Sequence, residues 1–163
     1  MEIQKSKRED LPAMLEIYAQ ARSFMAQTGN PTQWAGGYPA PELLAEDIAA
    51  GNSYVCLEKG KIVGTFAWII GSEPTYQVIE GSTWRQDTPY GTIHRLASDG
   101  KTHGVAAACF AFCRQQMPHL RIDTHRDNIP MQGAIEKFGF CKRGIIYVAD
   151  GSPRIAYDYC GEA

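Results

Sequence analysis

The stretch 93–117, IHRLASDGKTHGVAAACFAFCRQQM, constrains the fold of this chain more than any other. Residues 93–97 read as a strand, Ser98-Asp99-Gly100 is turn chemistry, and the run rich in Ala, Cys and Phe from Gly104 continues as a helix up to Met117-Pro118. A loop that delivers a strand to a helix N-terminus suits a phosphate. The first helical turn has unpaired N–H groups and a partial positive charge, Gly104 lets the backbone come close to a ligand, and Lys101 adds a full charge. Two nucleotide-binding patterns fail here. Gly100-Lys101-Thr102 imitates the end of a P-loop, but the leading glycine of G-x-x-x-x-G-K-T would fall at Arg95. The dinucleotide pattern G-x-G-x-x-G occurs nowhere in the chain.

A chain of 163 residues, 44% of them hydrophobic, is long enough for one well-cored domain, expected over 1–163. A net charge of −2 argues against a basic nucleic-acid footprint and against a polybasic membrane patch. The opening MEIQKSKRED lacks the apolar core of a signal peptide, and no apolar run approaches the ~20 residues that span a bilayer. A cytoplasmic location is the expectation. Five cysteines, odd in number and without clustered spacing, fit a reducing compartment rather than a disulfide framework. Cys109 and Cys113 lie one helical turn apart, but no second pair of thiols or imidazoles matches them, so they read as core and no metal is expected.

Along the chain, 2–5 is a strand. Ser6 and Glu9 form a capping box for a helix with Leu11, Met14, Leu15, Tyr18, Ala21 and Met25 on one face, ended by Gly29. The segment 28–39 consists of turn formers around two large aromatics, Trp34 and Tyr38. Trp34 reads equally as a plug over the core or as a pocket wall. Pro41 opens a short helix with Leu43, Leu44 and Ile48 inward, closed by Gly51. Strands at 53–57 and 61–70 flank the hairpin signal Glu58-Lys59-Gly60. The segment 72–91, with Tyr76, Glu80 and Trp84, shows no assignable element. Residues 119–125 alternate as a strand whose polar face carries Arg121, Asp123 and His125. A helix with Met131, Ala134, Ile135 and Phe138 follows Asp127-Asn128 and stops at Gly139. Strands at 140–148 and 154–159, joined by Asp150-Gly151, close the pattern.

Two motifs in this order carry a resemblance. Lys101-Thr102-His103-Gly104-Val105-Ala106 resembles R/Q-x-x-G-x-G/A, the pyrophosphate loop of the GCN5-related N-acetyltransferases (the GNAT family), with lysine departing from the usual Arg or Gln. Asp127-Asn128 followed by Glu136-Lys137-Phe138-Gly139-Phe140 is similar to that family's D-N…E-K-x-G-F ending. The element order of strand, two helices, three strands, helix, strand, helix, two strands looks like the complete GNAT fold. The resemblance implies an α/β (α+β) architecture: a mixed, mostly antiparallel sheet of six to seven strands with about four helices. The phrases GNPTQW, YGTIHRLASDG, RIDTH and GIIYVADGSPRIAY look like a bacterial branch of the family and name no substrate.

What the resemblance implies is an acetyltransferase with acetyl-CoA as co-substrate and no metal. The pantetheine arm would lie between 93–97 and 120–125, against backbone near Leu96 and Ala97. The pyrophosphate would rest on the amides of Lys101, Thr102, His103, Gly104, Val105 and Ala106, and Asn128 matches the asparagine on the pantetheine side. The acceptor would be the primary amine of a small molecule or protein, acetylated by direct transfer. Several family members keep the base at the position matching Thr92, which cannot act as one. His94, on the same strand face, offers an imidazole of reference pKa ~6.5. Asp123, where ribosomal-protein acetyltransferases carry a glutamate, is the rival base, and His125 is expected to orient it or the substrate. The usual proton-donating tyrosine is replaced by Ile135, which leaves Tyr147 as the candidate donor. Trp34, Tyr38, Trp68, Tyr76 and Trp84 suggest an aromatic pocket, and Glu80, Asp123 and Asp127 suit an ammonium, so a small cationic amine is preferred. Pairing through the final strands would give a homodimer. The alternative is a non-catalytic acyl-CoA sensor or interaction module on the same fold.

Overall fold

The computed structural model describes residues 1–161. Its strands are β1 (Glu2–Lys5), β2 (Ser53–Glu58), β3 (Lys61–Ile70), β4 (Gly91–Ser98), β5 (Leu120–Thr124), β6 (Cys141–Tyr147) and β7 (Pro153–Tyr159). Its helices are α1 (Leu11–Gln27), α2 (Pro41–Ala49), α3 (Val105–Gln116) and α4 (Ile129–Phe138). The strands form one sheet in the order β1-β2-β3-β4-β5-β7-β6. Every neighbouring pair is antiparallel except β4 and β5, which run parallel and pair only at Gly91–Leu120 and Thr92–Arg121. Beyond Thr92 the two strands part. Both edges of that opening therefore carry backbone groups without a ladder partner, which is the feature that positions the site.

Helices cover both faces, as the alternation of β2 shows. Tyr54 and Cys56 join the core under α3 and α4, with Phe110, Cys109 and Ile135, while Val55 joins the core under α1 and α2, with Met14, Tyr18 and Leu44. Cys56, Cys109 and Cys113 are fully buried, and burial pushes the Cys56 thiol up to about 12 and the Cys109 thiol well above its ordinary value. They are inert packing residues. Among the described residues, no helix is long and apolar enough to cross a membrane.

Several local expectations shift. The first cap uses Asp10 rather than Glu9: the Lys7 N–H donates to its carboxylate at 2.7 Å, and a single 3₁₀ turn, Arg8–Asp10, precedes α1. Ser6 is unavailable as a cap because it is buried and accepts from the Ser53 hydroxyl at 2.8 Å. Strand β4 is not continuously extended. Arg95 has φ 54°, and the pairing with β3 slips there, so one residue bulges out. A left-handed arginine costs about 1–2 kcal/mol. The bulge is held from both sides: the Arg95 guanidinium donates to Asp47 of α2 at 2.7 and 3.1 Å, and the Arg95 carbonyl accepts from the Tyr18 hydroxyl at 2.7 Å.

The segment between β3 and β4 is organised, although its pattern is unreadable. A 3₁₀ turn, Pro74–Tyr76, buries Tyr76, and the Trp84 indole N–H donates to the Tyr76 carbonyl at 2.9 Å. Glu80 then exchanges two backbone hydrogen bonds with Ile145 of β6, both at 2.9 Å. Gly144 makes this approach possible, since a Cβ there would collide with the Glu80 carbonyl. The final strands are not a free dimerisation edge: β7 lies inside the sheet between β5 and β6, and Glu80 blocks part of the β6 edge.

Candidate active site

A cavity of about 450 Å³ lies where β4 and β5 separate. Its walls are Ile93, His94 and Leu96 from β4, and Ile122, Asp123 and Thr124 from β5. The loop after α1 covers it with Gln33, Trp34 and Tyr38, and Glu73, Asn128, Asp150 and Arg154 also line it. Trp34 fills both of its proposed roles, packing edge-on against Tyr18 at 5.6 Å between ring centroids while lining the cavity.

Two polar pairs face this space. His94 Nε2 lies 3.3 Å from Glu73 Oε1. Glu73 also accepts from the Thr75 N–H at 2.7 Å and the Thr75 hydroxyl at 3.0 Å. The His94 hydrogen bond, helped by Thr75 and opposed by burial, holds the Glu73 carboxyl down at about 2. In the second pair the Tyr76 hydroxyl donates to Asp123 Oδ2 at 2.6 Å. Burial pushes the Asp123 carboxyl above its ordinary range, and the Tyr76 hydrogen bond only partly opposes this. One carboxylate therefore stays ionised beside an imidazole, while the other is poised closer to neutral pH.

The Glu73 shift has a consequence for stability. Its folded pKa lies below its ordinary value of 4.5, so its contribution is complete above about 4.5 and is lost as pH falls through about 2. In thermal melts from neutral pH downward, wild type should exceed Glu73→Gln by a margin that shrinks below about 4.5. A margin that stays constant into acid would mean the pair with His94 does not form.

The structure brings His94, Leu96, Asp123, Asn128, Trp34 and Tyr38 to one cavity. Others lie elsewhere. Tyr147 is exposed and its hydroxyl donates to Glu80 at 2.9 Å on the outside of β6, so Tyr147 does not face the cavity as a proton donor and Glu80 does not face it as an ammonium site. Trp84 stacks on the Arg121 guanidinium at 4.1 Å, and Trp68 is buried over Gly91 in the core. Tyr76 meets the site only through its hydroxyl. His125 does not orient Asp123. It lies past the end of β5, where Nδ1 accepts from the Asp127 N–H at 3.0 Å and Nε2 is 3.2 Å from the Thr32 hydroxyl, so it fastens the loop after α1. Asp127 is beside His125 at 3.6 Å, outside the cavity lining.

The predicted phosphate loop is partly used internally. Asp99 accepts from the amides of Lys101 at 2.9 Å and Thr102 at 2.8 Å, so these two N–H groups are already engaged. The amides of this loop that could still meet an anion therefore begin at His103. There α3 has no side-chain cap, Gly104 takes φ 85° and a Cβ on it would meet nothing within 4 Å, leaving room for Val105 and Ala106 to present their amides. Ala97 contributes backbone only, its methyl being buried under α1 and α2. Asn128 caps α4 by accepting from the Met131 N–H at 3.2 Å and donates to Gln33 at 2.9 Å. His119, Asp158 and Cys160 cluster within 4.8 Å, yet Arg85 and Arg121 already occupy Asp158 and His119, a cationic setting that opposes a metal.

No family model and no curated protein matches the sequence. Solved structures do. An acetyltransferase of the GNAT family from Streptococcus agalactiae is 29% identical, covers 99% of this chain and 96% of its own, and superposes with a TM-score of 0.91. The chain has the fold of the GNAT acetyltransferases. More distant structures agree in fold alone: an N-acetyltransferase from Staphylococcus aureus at 19% identity, 96% of each chain and TM-score 0.63, and a ribosomal-protein-alanine N-acetyltransferase from Brucella melitensis at 16%, 97% and 98%, and 0.63. GNAT acetyltransferases draw the acetyl group from acetyl-CoA, and the likeness to them supports acetyl transfer by this chain.

Sequence reasoning missed Glu73, Gln33 and Arg154. Glu73 carries a usable signal, an acid preceding Pro74-Thr75 that caps a turn. Arg154 had one too: it alternates with Ala156 and Asp158 along a strand, which places charges on a buried face.

Proposed function

We propose that residues 1–163 act as one acetyl-CoA-dependent N-acetyltransferase domain that acetylates a primary amine by direct transfer. The observation that carries this reading is the His94–Glu73 pair lining the cavity at the point where β4 and β5 part. The open edge of β4 near Leu96 suits the pantetheine amides, and the uncapped start of α3 with Lys101 suits the pyrophosphate. Acetyl-CoA supplies the acyl thioester. Glu73 holds Nε2–H of His94, which leaves Nδ1 with the free lone pair. That nitrogen takes the proton from the bound ammonium, so the neutral amine can form its bond to the acyl carbon, and the anionic Glu73 stabilises the imidazolium that results. Asp123, fixed by Tyr76, holds the amine. As the C–S bond breaks, the new C–N nitrogen gives up its second proton, which passes through water to the departing thiolate, since Ile135 is buried where the family has tyrosine and Tyr147 faces outward.

That missing donor is also what favours the second reading, an acyl-CoA sensor. Calorimetric titration with acetyl-CoA, followed by CoA release against a panel of amines, separates the two. Binding with turnover supports the transferase, and binding without release across the panel supports the sensor. Lys101→Ala should weaken acetyl-CoA binding by about threefold to tenfold, the scale of one exposed charge contact. Absence of binding by any acyl-CoA would overturn both readings.

A further inference from the structure

The cavity contains a buried cation without an acid. Arg154, near the start of β7, lines the cavity and is 7% exposed. Among the described residues no carboxylate lies within 4.0 Å of its guanidinium. Its bonds go to backbone carbonyls, from Nη1 to Pro153 at 3.0 Å and from Nη2 to Gln33 at 3.2 Å, which leaves most of its donors free. The other arginine of the cavity, Arg95, is matched by Asp47 at 2.7 Å. Arg121, outside the cavity, lies between the rings of Trp84 and Tyr90 at 4.1 and 3.8 Å. Asp123 and Asp150, which also line the cavity, feel the charge of Arg154 without forming an ion pair with it, so a bound anion in direct contact would offset the cost of taking the guanidinium out of water.

The register of β5 against β7 says where such an anion would lie. Asp123 pairs with Ala156, so Arg154 is its diagonal neighbour on the same sheet face, with backbones about 7–8 Å apart. An acid and a base thus face one cavity, a distance apart that suits the two ends of a small zwitterion. The CoA pyrophosphate does not account for Arg154, because no residue of 101–106 lines the cavity with it.

We infer that the acceptor is an amino carboxylate, an amino acid or close analogue, with its carboxylate on Arg154 and its ammonium between Asp123 and His94. This rests on the acetyl-transfer reading and deepens it. It also replaces the preference for a small cationic amine, whose second positive group would meet an Arg154 that no carboxylate ion-pairs. Planar, paired N–H donors recognise a carboxylate in a way that a lysine does not, so charge and geometry both contribute.

The test uses matched pairs: a panel of amino acids, each assayed beside its own carboxamide, with diamines as cationic controls. In the wild type, kcat/KM for the acid should exceed that for the amide by about 10²-fold, the scale of one buried charge-assisted pair. Arg154→Gln should collapse that ratio towards unity mainly through KM, and Arg154→Lys should restore part of it. Calorimetry of the same amino acids against the CoA-saturated protein gives a reading independent of turnover, and Arg154→Gln should abolish the heat. Melting of Arg154→Gln at or above the wild-type temperature is expected, because an unmatched buried charge has been removed. Amides or diamines used as well as acids, or an acid preference that survives Arg154→Gln, would overturn the inference while leaving acetyl transfer standing. Arg154-dependent amino-acid binding with no acetylation would do the reverse, retaining the carboxylate site and removing the transferase.

Discussion

A His94→Ala variant should turn over about 10²–10⁴-fold more slowly than wild type while binding acetyl-CoA as before, the range expected when an acid–base group is lost. The two effects separate because they come from different parts of the opening. His94 lines the cavity beside Glu73, whereas the proposed anion site is the start of α3 after Gly104. Removing the imidazole takes away a proton acceptor but leaves the open edge of β4 and the helix amides in place. Glu73→Gln should fall less far, since it removes the orienting charge and keeps the base. The decisive comparison is with Asp123→Ala. If that change abolishes turnover and His94→Ala spares it, Asp123 is the base and the imidazole only shapes the cavity.

The largest effect on stability is expected at Asp158, which is fully buried. It accepts from the Arg85 backbone N–H at 3.1 Å and from its Nε at 2.7 Å, with Nη2 at 2.6 Å, and Arg143 Nε is 3.9 Å away. Asp158→Ala leaves two guanidinium groups facing a site that has lost its anion, beside the buried Arg121. Breaking a buried pair from one side costs about 3–5 kcal/mol. The Arg85 side chain is 35% exposed and can rehydrate, so the lower end, about 3 kcal/mol, is the expected loss in denaturant titration. Asp127→Ala is the control, because its contact with Arg126 at 4.0 Å joins two exposed groups and should contribute under about 1 kcal/mol. Comparable losses for the two variants would show that the Arg85–Asp158 pair does not organise the segment before β4.

What could be read from sequence follows from how local each cause is. The β2–β3 hairpin turns on Lys59-Gly60, and both residues take positive φ, so the signal lies within four residues. The start of α4 is equally local, its Asn128 cap and Pro130 being adjacent. His94 and Asp123 were legible as polar residues on strands that enclose a cleft. Their partners were not. Tyr76 reaches Asp123 across 47 residues, from a segment without periodicity. Alternation placed Tyr147 on a strand but could not say which face of β6 would look outward, and that face is set by Glu80 crossing from another part of the chain. The loop 101–106 was matched to a phosphate-binding pattern by spacing, whereas Asp99, two residues before Lys101, belongs to the turn itself and claims two of the loop's amides. Alternation marks Arg154 as a charge on a buried face, but its position beside Asp123 follows only once β7 is known to sit beside β5, a fact of topology that no window of sequence contains.

That strand order bears on how the molecule assembles. β5 and β6 both precede β7 in the chain, yet they are separated in the sheet by β7, which pairs with both. β6 and β7 pair locally as a hairpin, whereas β5 completes its ladder only when that hairpin docks on it, and such non-local pairing is a slow element of folding. The cavity wall bearing Asp123 and Arg154 is made by the same step. Its two charges meet late in folding, and they separate only when the half-sheet itself comes apart, so the spacing between them is as rigid as the core beneath it.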